Sequence, residues 1–122
     1  MTTSHRLMDE LGRTVLAGSG ALGTSLRRAA DTAGGPVEIL NLRQPAAVRS
    51  LHNAYRDAGS QILITNTFGA NRLALGDAGL GEQVAAVNEA GVRLAREAAG
   101  DAAMVWASAG PLGLGLRFDD FG

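Results

Sequence analysis

The chain of 122 residues has the length of one small domain, and its 46% hydrophobic and 19% charged residues belong to a globular protein rather than a disordered one. A net charge of −1 offers no attraction to nucleic acid or to an anionic membrane. All eleven basic residues are Arg and there is no Cys, which excludes a lysine nucleophile or Schiff base, disulfides, thiolate metal sites and cysteine catalysis from these residues. No apolar run reaches the length of a membrane span, and Met1 to Arg13 is unlike a signal peptide, so the default compartment is the cytoplasm.

In chain order, Ser4 to Leu11 reads as a short helix, with Ser4 as N-cap and Leu7 and Leu11 on one face. Thr14 to Ala17 reads as a short apolar strand. It runs into the loop Gly18-Ser19-Gly20-Ala21-Leu22-Gly23-Thr24 and a helix over Ser25 to Ala33, ended by Gly34-Gly35-Pro36. Val37 to Leu40 is a minor strand or a loop segment. Pro45 starts a helix that reaches Ala58, with Val48, Leu51 and Tyr55 inward and Gly59 as its stop. Gln61 to Ile64 is a strand of the kind buried on both faces, and it breaks into Thr65-Asn66-Thr67-Phe68-Gly69-Ala70-Asn71. A Gly-rich connection, 76–81, precedes a long helix to Ala99 with Val84, Val87, Gly91, Leu94 and Ala98 on one stripe. Ala103 to Ala107 is a third strand, followed by Ser108-Ala109-Gly110-Pro111. Arg117 to Gly122 carries no helix pattern, and Asp119 and Asp120 read as a solvated acidic pair.

Strands alternating with helices argue for parallel strands joined by helical crossovers. Ligands of such sheets meet the chain at the carboxyl ends of the strands. The polar loop after Ile64 therefore has the layout of a site. In the competing structural reading, Thr65 and Thr67 merely cap the next helix and Phe68 plugs the rim. Gly18-Ser19-Gly20-Ala21-Leu22-Gly23 also matches the dinucleotide fingerprint G-x-G-x-x-G, with Glu38 at the ribose position. Alternatively the same backbone N–H groups hold an amino-acid carboxylate, or the glycines only make a tight turn. His52 reads as a satisfied surface or semi-buried side chain at the edge of its helix stripe, and His5 as solvated.

Several segments carry a family resemblance in unbroken order from about Thr14 to Gly113. They are Gly20-Ala21-Leu22-Gly23-Thr24, Leu40-Asn41-Leu42, Val48-Arg49-Ser50-Leu51-His52, Thr65-Asn66-Thr67-Phe68-Gly69-Ala70-Asn71-Arg72, Asn88-Glu89-Ala90 and Ala107-Ser108-Ala109-Gly110-Pro111. Thr-Asn-Thr-Phe-Gly-Ala-Asn is the specific part. Together they resemble the homocysteine S-methyltransferase family, which includes the homocysteine-binding barrels of methionine synthase and betaine–homocysteine methyltransferase.

The resemblance implies an α/β chain forming the amino-terminal part, about three βα units, of a (β/α)8 TIM barrel that needs roughly 250 residues. It implies methyl transfer to the homocysteine thiol, with Ser19, Gly20, Ala21, Gly23, Thr24, Thr65, Asn66, Thr67, Phe68 and Ser108 around the substrate. The family binds zinc through three Cys of later strands, which makes the substrate sulfur a thiolate. Residues 1–122 are thus expected to be a partial barrel ending before those strands, with no catalytic residue and no cofactor of their own. The family's acidic residue before Gly-Ala-x-Gly-Thr, which meets the substrate ammonium, is here Ser19. A piece with raw sheet edges is expected to self-associate or to join a complementary C-terminal barrel chain. Non-catalytic remnant or partner subunit is the alternative role. The methyl donor contacts lie on other loops.

Overall fold

The computed structural model describes residues 3–112; Arg117 to Gly122, with Asp119 and Asp120, lie outside the described residues. The helices are α1 (Thr3–Leu11), α2 (Gly23–Ala29), α3 (Leu40–Arg43), α4 (Pro45–Asp57), α5 (Arg72–Asp77) and α6 (Val84–Ala99), and the strands are β1 (Ile62–Ile64) and β2 (Met104–Trp106). The strands pair in parallel, Ile62 with Met104, Leu63 with Val105 and Ile64 with Trp106. Parallel neighbours require a crossover, and α5 and α6 supply it.

The expected first strand, Thr14 to Ala17, contracts to one parallel bridge, Gly18 with Ile62, on the other edge of β1. The Ala17 carbonyl accepts from the Gln61 and Ile62 N–H groups, and the Ser19 N–H donates to the Ile62 carbonyl at 2.8 Å. The next ladder position is taken by a side chain: the Ile64 N–H donates to Ser19 Oγ at 3.0 Å. With that bond the backbone is free to leave the ladder toward α2. Val15 lies 90% exposed, with no packing to hold it in an extended row.

Three further expectations need correction. Val37 to Leu40 is neither strand nor loop. Residues Val37–Ile39 make one 3₁₀ turn, opened by extended Pro36, that runs directly into α3. Helix α2 stops at Ala29 rather than Ala33, because the Asp31 carboxylate accepts the Ala33 N–H at 2.7 Å and turns the chain. Such a side chain competes with the helix for backbone donors. The Gly-rich connection is partly helical as α5, whose N-cap Asn71 accepts from the Ala74 N–H at 2.9 Å.

The core lies where α6 crosses behind the strands. Val87, Ala90, Gly91, Leu94, Ala95, Ala98 and Ala99 of α6 are buried, which extends the stripe read from the sequence. Leu26, Val37, Leu40, Val48 and Leu94 form one cluster. Ile39, Ala70, Leu75 and Val87 form a second, and Leu63, Ala98, Ala99 and Ala103 a third beneath the sheet. Between α4 and α6, Arg49 donates to Glu97 and the Arg56 guanidinium donates to the Ala98 carbonyl. The latter satisfies one of the carbonyls orphaned at the end of α6.

His52 is 0% exposed, and among the described residues neither Nδ1 nor Nε2 has a hydrogen-bond partner. It is a core side chain, one turn after Val48 on the buried stripe of α4, not a surface or semi-buried one. Burial lowers its pKa from 6.5, because the charged ring would sit without solvent or partner.

Unfolded, His52 takes up a proton near pH 6.5 while the folded ring stays neutral. Its contribution to stability is therefore present above pH 6.5 and declines as pH falls toward the lowered folded pKa. His52→Leu removes both orphaned nitrogens, each a burial cost of about 1–3 kcal/mol. Urea denaturation at neutral pH is expected to show the variant at least as stable as the parent, with the gap widening as pH falls below 6.5.

Candidate functional site

A cavity of about 330 Å³ opens at the carboxyl ends of the strands, lined by Gly20, Leu22, Gly23, Arg27, Val37, Glu38, Ile64, Thr65, Asn66, Phe68 and Ser108. Three segments meet there: the loop into α2, the loop after β1, and the loop after β2. The volume lies at the small end of the range for small-molecule sites.

The loop after β1 is fixed by a closed ring of hydrogen bonds. The Ser108 N–H donates to Thr65 Oγ1 at 3.0 Å, and Thr67 Oγ1 donates to the Ser108 carbonyl at 2.7 Å. Thr65 and Thr67 Oγ1 lie 2.6 Å apart. A hydroxyl has one proton to give, and that of Thr67 is committed to Ser108, so Thr65 donates to Thr67. The cycle uses both hydroxyl protons and both main-chain groups of Ser108. The Thr65 N–H, in turn, donates to the Trp106 carbonyl at 2.9 Å and continues the sheet.

A second pair of polar side chains stands behind the ring. Asn41 Nδ2 donates to the carbonyls of Asn66 and Val87 at 2.8 and 3.1 Å. Asn66 Nδ2 donates to the Val37 carbonyl and to Asn41 Oδ1 at 3.1 and 3.0 Å. All four amide protons are thereby satisfied, as buried polar groups require. These bonds tie the 3₁₀ turn, α3, α6 and the site loop to one another.

Two glycines permit the close approach. A Cβ at Gly91 of α6 would lie 2.6 Å from Thr67 Cγ2 and 2.8 Å from Asn41 Nδ2. A Cβ at Gly110 would lie 2.4 Å from the Phe68 carbonyl oxygen, to which the Gly110 N–H donates. Behind the first loop, the Tyr55 hydroxyl donates to the Ala21 carbonyl at 2.8 Å, and its oxygen would stand 3.0 Å from a Cβ at Gly20. Gly20 thus lets the first loop lie against α4.

Of the residues singled out in the sequence, Gly20, Gly23, Thr65, Asn66, Phe68 and Ser108 line the cavity. Phe68 is 60% exposed and stands open at the rim rather than plugging it. Ser19, Ala21, Thr24 and Thr67 are not among the lining residues. Ser19 serves the sheet through Ile64, Ala21 receives Tyr55, Thr67 closes the ring, and Thr24 is exposed in the first turn of α2. Neither Thr65 nor Thr67 caps α5; Asn71 does.

Arg27 and Glu38 line the cavity as well. The sequence offered Glu38 only as a ribose ligand, and Arg27 carried no signal beyond its place on the α2 surface. Arg27 donates to Thr32 Oγ1 and to the Gly35 carbonyl.

With this geometry in view, comparison with known proteins decides the family. A sequence profile described as Homocysteine S-methyltransferase matches residues 16–119. The chain belongs to the homocysteine S-methyltransferase family. It is similar to the methionine synthases of Mycobacterium tuberculosis and Mycobacterium leprae, 35% and 34% identical over 99 residues. Each match covers 76% of this chain and 8% of the relative. The homocysteine methyltransferase MmuM from Escherichia coli, in its metallated form, superimposes with a TM-score of 0.73 at 28% identity, over 88% of this chain and 42% of that one. Its oxidized form gives 0.74 at 29% identity. The chain thus spans less than half of the MmuM structures and a small fraction of the synthases.

The ring of hydroxyls is open to test by removing one member. Thr67→Val keeps the side-chain volume but strands the Thr65 proton and the Ser108 carbonyl. A loss of about 1–3 kcal/mol in denaturant unfolding is expected, with Thr67→Ser recovering most of it.

Proposed function

We propose that this chain forms the amino-terminal, homocysteine-binding part of a (β/α)8 methyltransferase barrel, with the amino-acid end of the substrate in the rim cavity. The observation that carries this is the convergence of the three segments, two of them at strand carboxyl ends and the third just after the Gly18 bridge, on one cavity whose wall includes Gly20, Gly23, Thr65, Asn66, Phe68 and Ser108. Family membership supports the substrate class, and the cavity at these loops is in keeping with it. The parallel pairing of β1 and β2, with Gly18 bridged on the far edge of β1, is the strand order that such a barrel would begin with.

What these residues do is bind and orient. The polar loops are already closed on themselves, so the rim is rigid before a ligand arrives, and less ordering is required on binding. Backbone N–H groups of the Gly20–Gly23 turn suit a carboxylate, and Phe68 covers the apolar part of the ligand. Among the described residues no three of His, Cys, Asp and Glu come together to hold a metal, and the sequence has no Cys. The zinc that the resemblance implies does not fit these residues. Activating the thiol is then a task for residues other than these, and methyl transfer is expected only when they are supplied.

Titration of the isotope-labelled full chain with reduced L-homocysteine is expected to shift the amide resonances of Gly20, Gly23, Thr65, Asn66, Phe68 and Ser108. Shifts absent from these positions at millimolar ligand would sink the assignment. The outer edge of β2 has no strand beside it among the described residues, and Trp106 there is 40% exposed. Sedimentation velocity is expected to show self-association of the chain, or capture of a complementary barrel chain; a monomer that melts sharply would contradict a barrel completed between chains.

A further inference from the structure

Glu38 is the buried carboxylate of the described residues, 7% exposed, and it lies in the wall of the rim cavity. Its position follows from the 3₁₀ turn. Val37 belongs to one apolar cluster and Ile39 to another, so the residue between them is held at the seam where the cavity opens. The Gly69 N–H donates to Glu38 Oε1 at 2.8 Å. The whole carboxylate lies against that glycine: a Cβ there would be 3.0 Å from Oε1 and 3.2 Å from both Cδ and Oε2. Gly69 is therefore a seat for the Glu38 head group as much as a turn residue.

An ionised carboxylate accepts about four hydrogen bonds. Among the described residues one is accounted for, and none of the ion pairs includes Glu38. Arg27 shares the cavity wall but directs its guanidinium to Thr32 and Gly35. A buried charge without a counter-charge is costly, and the vacant acceptor positions of this one are at a cavity. The natural complement is a compact cation that brings several donors, which describes a primary ammonium. Arg27 on the same wall favours a ligand that also carries an anionic group, hence a zwitterion over a simple amine.

We propose that Glu38 binds the α-ammonium group of the amino-acid substrate, supplying the negative charge that Ser19 cannot. This rests on the homocysteine assignment above and adds the residue that selects an amino acid over its desamino analogue. Oε1 remains with Gly69, and the second oxygen takes the ligand.

Calorimetric titration of the full chain and of Glu38→Gln tests it with three ligands. They are L-homocysteine, 4-mercaptobutanoate, which lacks the ammonium, and L-2-aminobutanoate, which lacks the thiol. Gln keeps an oxygen for the Gly69 N–H and removes the charge. The parent is expected to bind homocysteine at least tenfold more tightly than 4-mercaptobutanoate. In Glu38→Gln that preference is expected to vanish, with 4-mercaptobutanoate binding unchanged. Equal losses for both thiols in the variant would make Glu38 a structural residue and overturn the proposal. So would a parent that binds both thiols alike, an outcome that leaves the homocysteine assignment standing. Glu38-dependent binding of 2-aminobutanoate with no gain from the thiol would uphold the ammonium site and remove homocysteine as its ligand. A parent that binds none of the three overturns both.

Discussion

A buried strand that ends in polar residues has to satisfy those residues without water, and the structure is organised around how it does so. After Ile64 the chain places Thr65, Asn66 and Thr67 in succession at positions that are almost fully buried. The Thr65–Thr67–Ser108 cycle and the Asn41–Asn66 pair resolve the problem by joining the polar groups to one another and to main-chain carbonyls. Each bond on its own contributes modestly, but an unmade one in this setting is expensive. The loops after β1 and β2 are consequently one unit, and α6 must approach it closely enough that residue 91 has no room for a Cβ.

The same accounting separates the groups bonded within the polar network from those that line the cavity outside it. The two threonine hydroxyls and both amide nitrogens are fully engaged. The cavity is left with the backbone of the first loop, an open aromatic at Phe68 and the two charged residues Arg27 and Glu38. The bonds that hold its loops are made behind it, so Thr67 and Gly91 shape the cavity without lining it.

The helical layer contributes differently. Arg49 and Glu97 meet on the surface between α4 and α6, where both are largely hydrated and the pair is worth little. Apolar contacts of Val48, Leu94 and Ala98 hold that layer in place. Arg56 adds a specific end to α6 by taking the Ala98 carbonyl. No helix among the described residues is long and apolar enough to cross a membrane.

The sequence by itself determined the elements whose pattern is local. Pro45 and Gly59 bracket α4, the 3-4 spacing from Val84 to Ala98 marks α6, and the apolar runs at Ile62 and Met104 mark the strands. It also brought Thr65, Asn66 and Ser108 to one rim, where they line a single cavity, because the ends of parallel strands share a rim. Only tertiary structure decided the rest. Thr14 to Ala17 has strand composition yet makes one bridge, since a strand exists by virtue of its neighbours. Val37 to Leu40 has the apolar run of a strand but is a helical turn, held between two clusters that no local pattern displays. His52 and Glu38 are polar letters that the fold buries, one in the core without a hydrogen-bond partner among the described residues and one against Gly69 beside the cavity. Burial is a property of what packs from elsewhere in the chain, and no spacing within a segment encodes it.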